Sequence, residues 1–306
     1  MKNNCIVILG PTASGKTHLA CNLAYHLNGE IISADSRQVY KHLDIGTGKD
    51  LNEYVINGKK IEYHLIDIVD PGEQFYLHDF IRELKLAFDK ITAQNKLPII
   101  CGGTGLYLDA LHKDFSYTQI KENESLRKEL EELSREDLIE KLKRYNNKES
   151  ENVDLNSKKR LIRAIEIAEH LKNTNINLKP ASLTYNPYYI GIRSDVEKRR
   201  ELIYSRLLAR LNIGLIEEVE SLLANGITHE RLQFLGLEYK FISLYLQDKI
   251  SKDELILQLS TAINQFAKRQ MTWFRKMEKE GIKINWIEKD IDIQTLLKDL
   301  VSKFDH

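Results

Sequence analysis

A stretch near the start of the chain has the pattern of a phosphate-binding loop. The residues Gly-Pro-Thr-Ala-Ser-Gly-Lys-Thr at 10–17 satisfy G-x-x-x-x-G-K-[ST] and separate a buried strand-like run from a helix-like one. Glycines there let backbone amides turn towards phosphate oxygens, and the helix N-terminus adds partial positive charge. Lys16 can neutralise phosphate and Thr17 can ligate Mg²⁺. We therefore predict a phosphate site at Gly10, Thr12, Ala13, Ser14, Gly15, Lys16 and Thr17.

Two further polar turns follow apolar runs that resemble buried strands. Asp35–Tyr40 comes after Glu30–Ala34, and Gly102–Tyr107 comes after Leu97–Cys101. Carboxyl ends of parallel strands meet at one edge of a sheet, so both turns are expected beside the phosphate loop. There a carboxylate at residue 35 can accept a proton from a nucleophile, Ser36 and Gln38 can bind a base or sugar, and Thr104 can bind an oxyanion. Considered singly, a capping aspartate and a glycine turn made for packing are the structural alternatives.

A third candidate strand, Tyr63–Ile68, ends in acidic residues. Asp67 can hold magnesium through water, as acids at strand ends do in phosphate-loop proteins, and a capping role is equally compatible with its position. The histidines show no spacing typical of metal ligands.

Basic residues are concentrated locally on a chain without net charge. They occur at 158–163, at 198–200 followed by Arg206 and Arg210, and at 268–276, where cations alternate with aromatic residues. The last composition is suited to phosphates and to stacking on unpaired bases, although most basic helix faces are simply solvated. Three such segments on a neutral chain favour a polyanion bound across a limited surface.

The elements that position these residues follow from the apolar pattern. Short β-branched runs alternate with helical stretches near 16–28 and 76–94, charged helical sequence fills about 121–167, and runs at 188–192 and 282–287 return to the sheet. In the last long helix, Leu255, Leu259, Ile263 and Phe266 predict a buried stripe. The predicted fold class is α/β, a P-loop NTPase-like parallel sheet with helices on both faces and a smaller all-helical insert. The predicted domains are 1–117 (core, first part), 118–187 (helical insert contacting RNA) and 188–306 (core completion).

Composition limits the class of protein. The chain has 306 residues, 45 basic against 45 acidic, and three widely spaced cysteines, so neither a disulfide framework nor a zinc site is indicated. It has no run of about 18 apolar residues and no signal-peptide pattern at its start. We expect a cytoplasmic protein with no membrane association. The phosphate loop by itself suits a small-molecule or nucleoside kinase, and a nucleotide-switched RNA-binding module is a third reading.

Taken together, the motifs resemble those of the tRNA dimethylallyltransferase (isopentenyltransferase) family. Asp-Ser-Arg-Gln-Val-Tyr at 35–40, Gly-Gly-Thr-Gly-Leu-Tyr at 102–107 and Lys-Arg-Gln-Met-Thr-Trp at 268–273 are the specific blocks, and the matching segments keep the family's order over nearly the whole chain. The sequence departs from the family at 153–156 and at 235–240.

The resemblance implies a reaction and a set of roles. The loop would hold the diphosphate of dimethylallyl diphosphate, and the acceptor would be the N6 amine of the adenosine 3′-adjacent to the anticodon of tRNA. Asp35 would be the base, while Lys16, Thr104, Arg206 and Mg²⁺ would stabilise the leaving diphosphate together with Arg210. The implied partners are the anticodon stem-loop and dimethylallyl diphosphate, and we expect a monomer. The implied tRNA contacts are Asp35, Ser36, Arg37, Gln38, Thr104, Lys159, Arg160, Leu161, Ile162, Arg163, Lys268, Arg269, Gln270, Trp273 and Arg275.

Overall fold

A computed structural model describes residues 3–145, 153–174 and 185–304. The chain divides into two compact units, one made of Met1–Lys113 with Leu183–His306 and the other of Asp114–Ser182. These divisions fall within five residues of the boundaries placed at 118 and 187 from the sequence.

The first unit is built on a six-stranded parallel sheet. Its strands are β1 (Cys5–Leu9), β2 (Gly29–Ser33), β5 (Tyr63–His64), β6 (Leu97–Gly102), β7 (Pro187–Ile192) and β8 (Ile284–Ile287). They lie side by side in the order β5-β2-β6-β1-β7-β8. A separate antiparallel hairpin joins β3 (Val55–Ile56) and β4 (Lys59–Lys60).

The sheet is buried on both faces, which is why its strands read as continuous apolar runs. Ile6 and Ile8 of β1 pack in one core cluster with helices Lys16–His26 and Ile293–Phe304, while Val7, which points to the opposite face, is equally inaccessible. This arrangement confirms the predicted fold class. The helices of this unit are Lys16–His26, Leu77–Ala93, Gly105–Asp109, Val196–Asn212, Leu215–Ala224, His229–Leu235, Leu237–Tyr245, Lys252–Lys279 and Ile293–Phe304, with a 3-10 turn at Leu51–Tyr54.

Two details of the sequence prediction are wrong. The third strand ends at His64 because Leu65 and Asp67 adopt left-handed backbone angles (φ 63° and 57°), which break the extended conformation. In the long helix Lys252–Lys279 the buried stripe continues through Ala267, whereas Phe266 is 37% exposed. The 3.6-residue period allows either i+3 or i+4 at that point, and the fold selects i+4.

The second unit is helical in its described part. Its helices are Glu124–Glu131, Arg135–Lys143 and Lys158–Asn173, with a 3-10 turn at Ser116–Gln119. The side chains of Asn123, Ser134 and Ser157 each cap the helix that follows by accepting a backbone N–H. Its small core is aliphatic and includes Leu130, Leu138 and Leu161. Among the residues described in both units, no helix is long and apolar enough to cross a membrane.

Candidate active site

The three polar turns predicted to converge do so, around a cavity of about 360 Å³ at the carboxyl edge of the sheet. The cavity lies wholly within the first unit. Its predicted lining residues are Thr12, Ala13, Ser14, Gly15, Lys16, Thr17, Asp35, Ser36, Arg37, Gln38, Thr104, Arg206, Arg210 and Arg269. The structure therefore brings the residues of all three turns to one shared cavity.

The phosphate loop has the tight backbone that its glycines suggested. Gly15 has φ +86°, a left-handed angle that glycine adopts without strain. A Cβ on Gly10 would lie 2.8 Å from the Oγ of Ser14, so Gly10 contributes close packing and not cavity surface. The Nζ of Lys16 donates to the carbonyl of Pro11 at 2.8 Å, and burial lowers its pKa. This ammonium therefore lies folded over the loop, beside the space that phosphate would take.

Asp35 and Thr104 belong to two turns that are bonded to each other. The Oδ1 of Asp35 accepts the N–H of Arg37 at 2.8 Å, while the Oγ1 of Thr104 accepts the N–H of Ser36 at 3.0 Å. A Cβ on Gly102 would lie 2.3 Å from the carbonyl oxygen of Ala34, so only glycine permits this approach. Arg37 bonds only one oxygen of the Asp35 carboxylate, and Asp35 lines the cavity.

Two other members of the first turn are held by the protein itself. The amide of Gln38 accepts from the hydroxyl of Ser33 at 2.9 Å and donates to the carbonyl of Gly48 at 3.2 Å. The guanidinium of Arg37 is hydrogen-bonded to the carbonyl of Phe234. Both side chains still line the cavity, so the structure gives them a bracing role in addition to any contact with a ligand.

Arg206 and Arg210 reach the cavity from helix Val196–Asn212. Asp50 holds both, with its Oδ2 2.7 Å from a nitrogen of Arg206 and 3.8 Å from one of Arg210. Burial, together with the neighbouring charge of Arg210, lowers the pKa of Arg206, although its intrinsic value is so high that the group remains cationic. Two fixed positive charges therefore face the phosphate loop.

Gln270 is buried inside the protein, whereas a contact with RNA would require an exposed side chain. It is 6% exposed, its Oε1 accepts the N–H of Thr12 at 2.8 Å, and its Nε2 donates to the carbonyl of Gly103 at 3.0 Å. Its predicted tRNA contact is therefore corrected to a brace between the phosphate loop and the glycine turn, because both amide ends are used inside the protein. Trp273, one turn further along the helix, packs on Gly105, whose added Cβ would lie 2.3 Å from the indole.

The cations of this basic segment are exposed. Lys268, Arg269 and Arg275 face solvent, and Arg269 also lines the cavity, with its guanidinium 5.9 Å from the ring centre of Phe266. Their accessibility is compatible with the predicted binding of a polyanion.

The predicted segment at 159–163 lies in the second unit, on helix Lys158–Asn173. Leu161 and Ile162 are 0% and 6% exposed in its core, so their side chains are not available to RNA, and the prediction of direct contacts is wrong for these two. Arg163 donates to the carbonyl of Ile120 at 2.6 Å, which ties it to its own unit. Lys159 and Arg160 are exposed. The apolar character of Leu161 and Ile162, in the middle of a basic run, was the sequence signal that separates these buried residues from the exposed cations beside them.

Asp67 is not brought to the cavity. Its carboxylate pairs with Lys49, a lysine that is only 1% exposed and that also bonds Asp44 at 2.6 Å. The structure therefore gives Asp67 a partner of its own, and we do not keep it as a metal ligand.

Several cavity residues were missed. Asp50, Glu53 and Glu238 add carboxylates, and burial raises the pKa of Glu53 and of Glu238. Leu235, Leu237 and Phe266 add apolar surface beside the polar loop. The sequence analysis placed Phe266 in a buried stripe, so its place in the cavity wall is known only from the structure.

The fold and the site together define a phosphate-loop α/β protein whose cavity adjoins both cationic and apolar walls. A sequence model of the IPP transferase family matches residues 38–277. The chain is 46% identical to "tRNA dimethylallyltransferase 2" of Phocaeicola vulgatus, over 98% of this chain and 97% of that protein, and 47% identical to "tRNA dimethylallyltransferase 1" of Geotalea uraniireducens, over 95% of each.

Comparison with solved structures gives the same family. The full-length tRNA isopentenylpyrophosphate transferase of Bacillus halodurans superposes with a TM-score of 0.69 at 32% identity, covering 98% of this chain and 95% of that one. A eukaryotic dimethylallyltransferase acting on tRNA gives a TM-score of 0.79 at 25% identity, covering 98% and 80%. The chain belongs to the IPP transferase family.

Proposed function

We propose that this protein is a tRNA dimethylallyltransferase, which transfers the dimethylallyl group of dimethylallyl diphosphate to the N6 amine of the adenosine 3′-adjacent to the anticodon and releases diphosphate. The observation that carries the proposal is the composition of the cavity. It joins a phosphate loop, a carboxylate at Asp35 and an apolar wall at Phe266 and Leu237. The relatives' names do not favour a small-molecule or nucleoside kinase, the alternative that the phosphate loop alone would allow.

Separate residues act on the attacking amine and on the leaving diphosphate. An adenine amine is a weak nucleophile because its lone pair is delocalised into the ring, so Asp35 accepts its proton as the nitrogen bonds to the allylic carbon. The bond from that carbon to the diphosphate oxygen breaks, and negative charge grows on the leaving group. Lys16, Arg206, Arg210 and the Thr104 hydroxyl stabilise that charge from fixed positions.

Magnesium fits the donor set as a proposed cofactor. Mg²⁺ prefers oxygen ligands, and besides Asp35 the cavity offers the Thr17 hydroxyl with the carboxylates of Asp50 and Glu53. When bound, it would neutralise charge on the diphosphate and so favour its departure.

The RNA would approach over the exposed basic residues. Unpaired loop bases are unstacked at much lower cost than paired ones, so the target adenosine can enter the cavity from an anticodon loop. Lys159, Arg160, Lys268, Arg269 and Arg275 are exposed cations suited to its phosphates. We also propose that the protein acts as a monomer in the cytoplasm, where tRNA is modified.

Incubation with labelled dimethylallyl diphosphate, magnesium and an anticodon stem-loop tests the proposal. We expect label on the target adenosine and on no other base, with a matched stem-loop lacking that adenosine as the control. Parallel reactions with ATP and small acceptors address the kinase alternative. Phosphate transfer from ATP with no prenyl transfer to intact RNA would refute the proposed function.

A further inference from the structure

The loop at 43–50 contributes to one wall of the cavity, and one carboxylate that lies outside the cavity binds three of its successive backbone amides. The Oε2 of Glu218 accepts the N–H groups of Asp44 and Ile45 at 2.9 and 2.7 Å, and its Oε1 accepts the N–H of Gly46 at 3.0 Å. Three amides directed at one ion pin the backbone of this loop, because hydrogen bonds to a charged acceptor are stronger than neutral ones.

A buried tyrosine completes the arrangement. The hydroxyl of Tyr239 donates to the Oε1 of Glu218 at 2.7 Å, and Tyr239 is 0% exposed. Its ring lies against Gly46, where an added Cβ would come within 2.5 Å of the ring carbon Cζ. The loop is thus pressed between the Glu218 carboxylate and a ring that the same carboxylate orients.

The loop in turn contacts both cavity arginines. Turn hydrogen bonds tie the N–H of Gly48 to Ile45 and the N–H of Lys49 to Asp44. A Cβ on Gly48 would lie 1.9 Å from a terminal nitrogen of Arg210, so that guanidinium packs directly on the loop backbone. Asp50, at the end of the loop, holds Arg206 at 2.7 Å. An unbroken chain of contacts therefore runs from Glu218 to the two cations.

We propose that Glu218 is a positioning residue for the reaction: by fixing the backbone of Asp44–Gly46 it sets the places of Arg206 and Arg210 at the diphosphate subsite. Glu218 does not line the cavity, so its effect passes through the loop. The inference rests on the proposed function for the identity of the ligand. Binding of inorganic pyrophosphate with magnesium provides a readout that needs no transfer reaction.

The test replaces Glu218 by glutamine, which keeps the size but turns one acceptor into a donor facing a backbone N–H. We expect Glu218→Gln to weaken pyrophosphate binding, measured by titration calorimetry, by about tenfold or more, since an arginine moved from its fixed place loses most of a charge-assisted bond. Transfer assays should show a matching fall in kcat/KM for dimethylallyl diphosphate at unchanged affinity for the stem-loop. The control Glu220→Gln makes the same change at an exposed position of the same helix.

A double-mutant cycle separates positioning from a general structural role. In an Arg210→Ala background, Glu218→Gln should weaken pyrophosphate binding by only about threefold or less, because one of the two cations that it positions is already gone. Equal losses in both backgrounds, or unchanged binding in Glu218→Gln, would overturn the proposal. If Glu218→Gln does not fold, Tyr239→Phe removes only the hydroxyl. Tyr239→Phe should also weaken pyrophosphate binding, and unaltered binding in this variant would likewise overturn the proposal. Wild-type protein that binds pyrophosphate but transfers no prenyl group would refute the proposed function alone.

Discussion

Replacing Gln270 by methionine should destabilise the protein without creating a cavity. Methionine has a similar length and volume, so the substitution removes the two hydrogen bonds to Thr12 and Gly103 and little else. It leaves the Gly103 carbonyl without a partner in the buried interior, and it leaves the part-buried N–H of Thr12 to the cavity. One unpaired buried group costs about 1–3 kcal/mol, so the free energy of unfolding should fall by about that amount.

Urea denaturation measures this loss, and amide hydrogen exchange locates it, with the Thr12 N–H exchanging faster in the variant. Gln265→Met is the matched control, since Gln265 is exposed on the same helix. Affinity for dimethylallyl diphosphate should fall as well, because the phosphate loop loses its brace. A decrease in stability below about 1 kcal/mol, accompanied by weaker RNA binding alone, would refute the bracing role and favour a direct RNA contact.

Three other substitutions test separate parts of the structure. Asp35→Asn should lower kcat about 10²–10⁴-fold with little change in stem-loop affinity, and equal losses in single-turnover rate and in RNA binding would contradict its role as base. Gly102→Ala should give insoluble or strongly destabilised protein, judged by thermal unfolding, because its Cβ would meet backbone at 2.3 Å. Burial opposes the charge of Glu30, but hydrogen bonds from Lys96 and His64 outweigh it and lower the pKa of that carboxyl. This stabilisation exists above the unfolded pKa of about 4.3 and is lost as pH falls through the lowered folded value, so Glu30→Gln should lose less stability than wild type between neutral and acid pH.

Local patterns predicted what depends on neighbours in sequence. The phosphate loop at 10–17 and the turns after β2 and β6 were located because their glycines and polar residues follow buried strands. The third strand was predicted too long because its β-branched composition carries no sign of the left-handed angles at Leu65 and Asp67. Composition gives a strand propensity, whereas the backbone path is decided by what the chain packs against.

Side-chain direction was the other source of error. Leu161 and Ile162 were assigned with the cations beside them, although their apolar character places them in the core of the second unit. Phe266 was assigned to a core and lines the cavity. Each assignment requires knowing which side of a helix faces which neighbour, and a single helical period leaves that open by one residue.

The sequence by itself determined the α/β class, the phosphate loop and the edge of the sheet where the chemistry converges, because strand, turn and loop signals are written in contiguous residues. Only the tertiary structure decided that Gln270 braces the phosphate loop from 258 positions away, and that Glu218 holds a loop 172 to 174 positions before it. Hydrogen bonds between such distant segments leave no local periodicity. They exist only once packing has brought buried amides and carbonyls together and each must find a partner.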